Sequence, residues 1–244
     1  MTATNRTKQK RAKSANRERT VKGAKTLVID VGGTHVKVIS TGRRTMTKID
    51  SGPSMTPKEM VKQVLAATAD WEYDRIAIGY PGPVRDGRPS REPWNLAPGW
   101  VKFDFARAFG MPVRIVNDAA MQALGSYSGQ KMLFLGLGTG LGSAMIREGV
   151  LIPLELAHLP YRHGESYEDY LGNAGMERLG KKDWRKHVAH IVTLFIAALE
   201  VDYVVLGGGN SRRLSKLPPR TRLGNNANAF KGGFRLWDLA GEHR

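Results

Sequence analysis

The stretch TLVIDVGGTHVKV, residues 26–38, carries the clearest signal of secondary structure in the chain. An apolar run ends in an aspartate, passes through two glycines and a threonine, and continues as alternating apolar and polar residues. This alternation places Val36 and Val38 on one face and Lys37 on the other, which is the period of a β-strand. The stretch therefore predicts a β-hairpin, and it matches neither the P-loop pattern nor the dinucleotide-binding glycine pattern.

The turn of this hairpin is a candidate anion site. Without a helix N-terminus, binding has to come from backbone N–H groups of the turn, the Thr34 hydroxyl and nearby cations. Asp30 would repel a phosphate unless a metal ion lies between them. Mg²⁺ bridging a carboxylate and a phosphate, usually through retained waters, resolves that conflict. We therefore expect Asp30 to position Mg²⁺.

The composition is that of a globular protein. The chain has 244 residues, 41% of them hydrophobic, so it can bury a substantial core as one large domain or two lobes. No apolar stretch has the length of a membrane span, and the basic N-terminus lacks the apolar segment of a secretory signal, so we expect a cytoplasmic protein. The absence of cysteine excludes disulfides and thiolate zinc sites.

The net charge of +16 is divided evenly between the N-terminus and the rest of the chain. Residues 1–25 contain nine Lys and Arg and one Glu, and they are poor in apolar residues, which predicts a disordered basic arm. We favour a solubilising role for this arm over contact with a polyanion. The excess charge on the body favours binding of a polyanion, nucleic acid or polyphosphate.

A second glycine-tipped hairpin is predicted over residues 131–153. Placing Asp30 over Gly136 aligns LVIDVGGT with LFLGLGTG at an offset of 106 residues, which indicates two related lobes with a cleft between them. We expect an N-terminal α/β lobe over 26–117 and a C-terminal α/β lobe over 118–244.

Other patterns place polar residues at the end of a strand. Thr56, Pro57 and Glu59 predict the start of a helix, and PVRIVND predicts a strand that presents Asn117 and Asp118 at its carboxyl end, where open α/β sheets bind ligands. Asp118 could also cap the following helix. The C-terminal stretch 222–240 is ambiguous between helix and loop.

The set of motifs resembles the ROK family of sugar kinases, within the actin-like ATPase superfamily, and most closely its polyphosphate glucokinase branch. The resemblance covers roughly residues 26–237. It is carried, in the family's order, by DVGGTHVK, GYPGPV, NLAPGW, VNDAAMQALGSY, LGLGTGLGSAMIREGVLIPLELAHL and LGGGNSRR. It implies a two-lobed α/β fold of the actin-like, ribonuclease H-like type, with the active site in the cleft.

The resemblance also implies the site. Asp118 would be the general base that takes the proton from the sugar hydroxyl, in keeping with the positioning that phosphoryl transfer requires. The sugar would be bound by Asn95, Asn117, Asp118, Glu155 and His158. The donor phosphates would be bound by Asp30, Gly32, Gly33, Thr34, Lys37, Gly138, Thr139, Gly140, Gly207, Gly208 and Gly209.

The chain departs from the family pattern in three places. Many members carry a cysteine-rich zinc motif that this chain lacks, as does the polyphosphate glucokinase branch. The run NNANAFKGGF only loosely matches the family's C-terminal helix, and the basic arm is not a family feature. Trp94 and Trp100 are expected to pack near the sugar loop, although an aromatic face could also meet the sugar.

These observations predict a glucokinase that uses polyphosphate, ATP or both, with Mg²⁺, and that forms a homodimer. A polyphosphate donor calls for a positively charged groove, for which we consider Lys37, Arg85, Arg88, Arg212 and Arg213. Nucleic acid and membrane partners are not expected. The alternatives are an ATP-dependent kinase for another hexose or an amino sugar, and a non-catalytic sugar sensor, although residues 1–25 cannot supply the helix-turn-helix of ROK repressors.

Overall fold

The computed structural model describes residues 23–225 and 227–238. The predicted basic arm lies mostly outside these residues. At its end, Lys25 donates its backbone N–H to the carboxylate of Asp74 over 2.8 Å and forms a side-chain ion pair with Glu72. Within the described residues, no helix combines the length and apolar character that crossing a membrane requires.

The first half of the chain forms a five-stranded sheet in the order β3-β2-β1-β4-β7, with a separate two-stranded hairpin. β1, β4 and β7 are parallel, and β2 and β3 are antiparallel to their neighbours. The elements are β1 (Thr26–Val31), β2 (His35–Ser40), β3 (Thr47–Asp50), α1 (Pro57–Ala67), β4 (Arg75–Tyr80), the hairpin β5 (Val84–Arg85) and β6 (Arg88–Pro89), α2 (Phe105–Phe109) and β7 (Val113–Asn117).

The second half forms another five-stranded sheet, in the order β10-β9-β8-β13-β14. Short 3₁₀ helices cover Leu156–His158 and Gly209–Arg213. The other elements are α3 (Asp118–Ser126), β8 (Met132–Leu137), β9 (Leu141–Arg147), β10 (Val150–Leu154), β11 (Pro160–Arg162), β12 (Glu165–Ser166), α4 (Tyr167–Leu171), α5 (Asn173–Leu199), β13 (Tyr203–Gly207), β14 (Thr221–Leu223) and α6 (Asn228–Arg235).

Both predicted hairpins are present, and they occupy the same position in their respective sheets. In the first, Val31 pairs with Val36 just before the turn; in the second, Leu137 pairs with Leu141. Val31 and Leu137 are 106 residues apart, which is the predicted offset, and the strand order is the same in both sheets. The two sheets therefore present their glycine turns at equivalent ends.

Helices α3 and α6 lie between the two sheets. Their apolar side chains share one core cluster with Val28 and Ala77 of the first sheet and with Phe134 of the second. The helices cross so closely that a Cβ atom at Gly125 would lie 1.8 Å from the Asn228 carbonyl oxygen. The ambiguous C-terminal stretch thus begins in strand β14 and forms helix α6 over Asn228–Arg235, where small residues allow it to pack tightly on α3.

Two helices show how local sequence sets their bounds. α1 begins as predicted, with the Thr56 hydroxyl accepting the Glu59 N–H over 3.2 Å and Pro57 in the first turn. The long helix α5 is broken at Gly180, whose φ of 71° and ψ of 157° are not helical. Lys181 therefore begins a new helical segment, so the lysines at 181 and 182 lie in its first turn.

Candidate active site

Three parallel strands of the first sheet end at the same edge. Asp30 of β1 is level with Gly79 of β4, and Tyr80 is level with Asn117 of β7. A Cβ atom at Gly79 would lie 2.2 Å from Met121 Cε, so the missing side chain makes room for Met121 of α3 against β4. The strand ends therefore gather Asp30, Asn117 and Asp118, as the sequence predicts.

Asn117, not Asp118, caps helix α3. Its side-chain oxygen accepts the N–H groups of Ala119 and Ala120 over 2.9 and 3.4 Å, and its Nδ2 donates to the Gly82 carbonyl over 3.0 Å. The suggestion that Asp118 is the cap is wrong, because Asp118 is already the first helical residue. With Asn117 as the cap, the Asp118 carboxylate accepts the Ala119 N–H over 2.7 Å.

The pKa of Asp118 is raised from 3.8 to about 6. Burial of the carboxyl group is the largest cause, followed by the negative charge of Asp30, and Glu155 adds a smaller contribution. Backbone N–H groups act in the opposite direction and lower the pKa. A carboxyl group that titrates near neutral pH can accept and release a proton under ordinary conditions.

Asp30 is paired with Lys37 across the first hairpin. The Lys37 Nζ lies 3.2 Å from Asp30 Oδ2, and the Asp30 side chain is only 18% exposed. The pairing follows from the register, because the two residues are opposite each other in adjacent antiparallel strands. Lys37 therefore offsets part of the Asp30 charge instead of acting as an isolated cation.

The first glycine turn contacts the predicted sugar-binding loop. The Gly32 N–H donates to the His35 carbonyl over 3.1 Å and closes the turn, while the Ser51 hydroxyl donates to the Gly32 carbonyl over 2.6 Å. A Cβ atom at Gly33 would lie 2.9 Å from the Asn95 Cβ. Asn95 is exposed and lies directly against the turn, so the structure brings these two predicted site residues together.

The second glycine turn is fixed by a carboxylate that the sequence did not reveal. The Gly138 N–H closes this turn on the Gly140 carbonyl over 3.1 Å. Glu168 of α4 accepts the Leu141 N–H over 2.9 Å, and a Cβ atom at Gly140 would lie 2.2 Å from Glu168 Oε2. The signal that could have identified Glu168 is the Ser166–Asp169 capping box, which marks the start of its helix.

The third glycine run joins the second turn through Asn210. Gly208 has a φ of 78°, and a Cβ atom there would lie 2.2 Å from the Leu137 carbonyl oxygen. The Asn210 side chain then donates to the carbonyl of Gly138 over 3.3 Å and to the side-chain oxygen of Asn173 over 2.6 Å. Residues 207–209 therefore lie directly beside the second glycine turn, residues 138–140.

Glu155 and His158 lie together on the 3₁₀ turn that follows β10. The His158 Nε2 is 3.9 Å from the Glu155 carboxylate, and the two side chains are 63% and 60% exposed. Since the charge of Glu155 contributes to the raised pKa of Asp118, this pair belongs to the same site. A carboxylate and an imidazole that are both accessible can bind a polyhydroxyl ligand.

The cations considered for a donor groove lie in separate places. Arg85 and Arg88 are exposed on the short hairpin β5–β6, in the loop that Asn117 holds through Gly82. Arg212 and Arg213 follow the third glycine run, where the Arg213 Nε donates to Asn210 Oδ1 over 3.2 Å. Among these four arginines, Arg213 is the one whose side chain is tied to a glycine turn by hydrogen bonds within the described residues, through Asn210.

The two tryptophans of the sugar loop differ. Trp100 is fully buried, packs on Tyr80 and Phe105, and donates its indole N–H to the Ala97 carbonyl over 2.8 Å. Trp94 is 96% exposed, so the expectation that it packs is wrong. The loop is held from within by Glu92, which accepts the N–H groups of Gly99 and Trp100, and this leaves Trp94 outside the core.

The chemistry of the site is compatible with Mg²⁺. No cluster of three or more His, Cys, Asp or Glu side chains suited to a metal occurs in the part of the chain that the structure describes. Mg²⁺ is commonly bound by one or two carboxylates, with waters and substrate phosphates completing its octahedron. Asp30, beside an exposed Thr34 and the first turn, offers such a hard oxygen ligand.

The structure is similar to solved sugar kinases. The inorganic polyphosphate/ATP-glucomannokinase from Arthrobacter sp. strain KM matches with a TM-score of 0.71 and 24% identity, over 89% of this chain and 99% of that one. A ROK family glucokinase from Streptomyces griseus, solved with glucose and AMPPNP, matches with a TM-score of 0.62 and 19% identity, over 91% and 92%. The fold is therefore the two-lobed actin-like fold that the sequence predicts.

The sequence has relatives among characterised proteins. The polyphosphate glucokinase of Mycobacterium tuberculosis is 29% identical over 216 residues, which cover 78% of this chain and 80% of that protein. The sequence model of the ROK family matches residues 26–153, just over half of the chain. This match contains both glycine hairpins, strand β7 and Asp118 directly after it. With the same turns, strand ends and helix in place in the structure, the chain belongs to the ROK family.

Proposed function

We propose that this protein is a glucokinase that transfers a phosphoryl group from polyphosphate, ATP or both to the 6-hydroxyl of glucose. The observation that supports this most is Asp118, a carboxyl group with a pKa of about 6 at the edge where Asp30 and Glu155 also act on it. The activities named for the relatives, polyphosphate glucokinase and polyphosphate/ATP-glucomannokinase, agree with this assignment.

Asp118 acts as the general base. Above pH 6 its carboxylate is ionised and can accept the proton of the sugar hydroxyl as that oxygen attacks the terminal phosphorus. Little covalent chemistry is required of the protein in phosphoryl transfer, so positioning and charge dominate. The fixed start of α3, capped by Asn117, holds the base in one place.

Glu155, His158 and Asn95 bind the sugar. The first two are exposed side by side, with the charge of Glu155 acting on Asp118, and Asn95 is exposed on the loop that contacts Gly33. Asn117 contributes less than the resemblance implies, because its side-chain oxygen is used in capping and its amide group already donates to Gly82. One amide hydrogen of Asn117 remains for the sugar.

The two glycine turns bind the donor phosphates. In each turn the N–H of the first glycine is already used, whereas the N–H groups of residues 33, 34, 139 and 140 donate to no described residue. Backbone N–H groups in such concave turns are suited to anions. Thr34 and Thr139 are exposed beside them, and residues 207–209 border the second turn.

Asp30 would hold Mg²⁺, and the ion would supply neutralisation of the charge on the donor phosphates. Lys37 keeps the Asp30 carboxylate oriented in the absence of the ion. We also propose that the protein acts in the cytoplasm and as a homodimer.

A coupled assay that crosses several sugars with several donors tests this function. We expect phosphorylation of glucose, with ATP and polyphosphate compared at rising salt. Asp118→Asn should retain glucose binding and lose turnover by orders of magnitude. Unchanged turnover would refute the assigned base, preference for another hexose or an amino sugar would replace glucose as the substrate, and sugar binding without turnover in the native protein would indicate a sensor.

A further inference from the structure

A chain of hydrogen bonds leads from the second glycine turn to a basic surface. Asn210 donates to the carbonyl of Gly138, Arg213 donates to Asn210, and the Arg185 Nε donates to the Arg213 carbonyl over 2.7 Å. The path connects three parts of the chain: the β8–β9 turn, the 3₁₀ helix after β13, which contains both Asn210 and Arg213, and helix α5. The basic side chains at the end of this path are therefore fixed relative to the turn.

Helix α5 adds cations next to this point. Because α5 is broken at Gly180, Lys181 and Lys182 lie in the first turn of its second segment, and Arg185 follows three and four residues later on the same face. Cations are unfavourable at a helix N-terminus, where the helix dipole is itself positive. Such an arrangement is stabilised when an anion is bound nearby.

Six basic side chains of helix α5 and of the segment after β13 form a surface that we call the basic track. Its members are Lys181, Lys182, Arg185, Arg212, Arg213 and Lys216. Among the salt bridges of residues 23–225 and 227–238, none includes a member of the basic track. The adjacent carboxylate Asp183 is paired with Lys186, at 2.7 Å. By contrast, Lys37 is already paired with Asp30.

The track lacks the features of a nucleic-acid surface. Proteins that bind single strands combine cations with aromatic side chains on which bases stack. Trp94 is the one exposed Phe, Tyr or Trp side chain among the described residues, and it lies on the sugar loop. A polyanion without bases is therefore a better ligand for the track.

We propose that the basic track binds the part of a long polyphosphate chain that extends beyond the reacting phosphates. This proposal rests on the proposed function, because it places the reacting end of the same chain at the glycine turns. It also explains how one site could take two donors: a nucleotide would need only the turns, and a long polyphosphate would use the turns and the track.

The test measures the binding of two ligands, long-chain polyphosphate and tripolyphosphate, to the full chain. Titration calorimetry is used, and no sugar is present. The variant Lys182→Gln/Arg212→Gln/Lys216→Gln removes three track charges from exposed side chains that have no hydrogen-bond partners among the described residues. The control Lys58→Gln/Arg107→Gln/Lys231→Gln removes the same charge from exposed positions on α1, α2 and α6. Their melting temperatures establish that both variants fold.

We expect the native chain to bind long polyphosphate at least tenfold more tightly than tripolyphosphate, and the track variant to lose most of this difference. The dependence of log affinity on log salt should become shallower by about one for each phosphate contact removed. The control should keep both the difference and the slope.

Equal losses in the two variants would overturn the proposal, and so would equally tight binding of a single-stranded oligonucleotide of the same charge. Because this assay involves no turnover, it separates the two proposals. A chain that phosphorylates glucose with ATP but binds no long polyphosphate refutes the track alone. A chain that binds polyphosphate on the track but phosphorylates no sugar refutes the proposed function alone.

Discussion

The carboxylate of Asp30 raises the pKa of Asp118 while being held by Lys37. The two acidic residues come from different strands of one sheet, and their interaction links the proposed metal ligand to the proposed base. Any change in the Asp30 charge is therefore expected to appear in the titration of Asp118.

The pKa of Asp118 should move in opposite directions in two variants. Asp30→Asn removes a negative charge, so the pKa of Asp118 should fall below 6. Lys37→Met removes the positive charge that offsets Asp30, so the pKa of Asp118 should rise. The measurement is the titration of the Asp118 carboxyl group by NMR between pH 4.5 and 8 without Mg²⁺, since a cation held at Asp30 would itself lower this pKa. Equal shifts in the same direction would contradict the coupling.

Asp118→Asn should stabilise the protein. Since the pKa is raised from 3.8 to about 6, the folded state binds the proton more tightly than the unfolded chain does. The resulting stability is present below pH 4 and is lost as the pH rises through about 6. At pH 7.5 the Asp118→Asn variant should therefore have a free energy of unfolding roughly 2 kcal/mol higher than the native protein, which corresponds to about 4–8 °C in Tm.

The matched control for this variant is Asp104→Asn. Asp104 caps α2 by accepting the Arg107 N–H over 3.0 Å, and an asparagine can keep that bond. It undergoes the same chemical change at an exposed site, so its Tm should stay nearly constant. A similar gain in both variants would indicate a nonspecific effect of lowering the negative charge.

Asn117→Ala should weaken the start of α3. The change leaves the N–H groups of Ala119 and Ala120 without their acceptor, which costs about 1–2 kcal/mol in free energy of unfolding. Asn117→Ser loses the contact with Gly82 but retains a capping oxygen. Because the cap is kept, the serine variant should recover most of the lost free energy of unfolding. Chemical denaturation of the two variants measures this difference, and an equally unstable serine variant would show that the Gly82 contact dominates.

The two glycines of the second turn should respond differently to alanine. At Gly140 the new Cβ would lie 2.2 Å from Glu168 Oε2, so the carboxylate must leave the Leu141 N–H. At Gly138 no atom lies within 4 Å of the new Cβ. We expect Gly140→Ala to lower the Tm by several degrees and Gly138→Ala to leave it within a degree or two.

A double variant tests the cause of that loss. Glu168→Ala should destabilise the native turn, but it should destabilise the Gly140→Ala protein much less, because Glu168 has already lost its hydrogen bond to the Leu141 N–H there. Additive changes in the free energy of unfolding would show that Glu168 and Gly140 do not interact.

The hairpins and strand ends could be predicted because their signals are local. Alternating valines and a glycine turn are contiguous in residues 26–38, and the pair Asn117-Asp118 directly follows a short apolar strand. The role of Asn117 as the cap was missed because Asn and Asp are equally good N-caps, and only the backbone shows where the helix begins.

Contacts between distant parts of the chain could not be predicted. Glu168 contacts a turn that lies 27 residues before it, and Asn210 reaches a carbonyl 72 residues away. The exposure of Trp94 likewise depends on how Glu92 folds its loop inward. No period or turn signal encodes such contacts, because they arise only when separate elements are packed together.

The glycine crossing of α3 and α6 has a mechanical consequence. This helix pair contacts both sheets, so any rotation of one lobe relative to the other has to turn about it. Asp118 is the first residue of α3, whereas each glycine turn joins two strands of its own sheet. A rotation of one lobe would therefore move its glycine turn relative to a base that the shared helix pair carries.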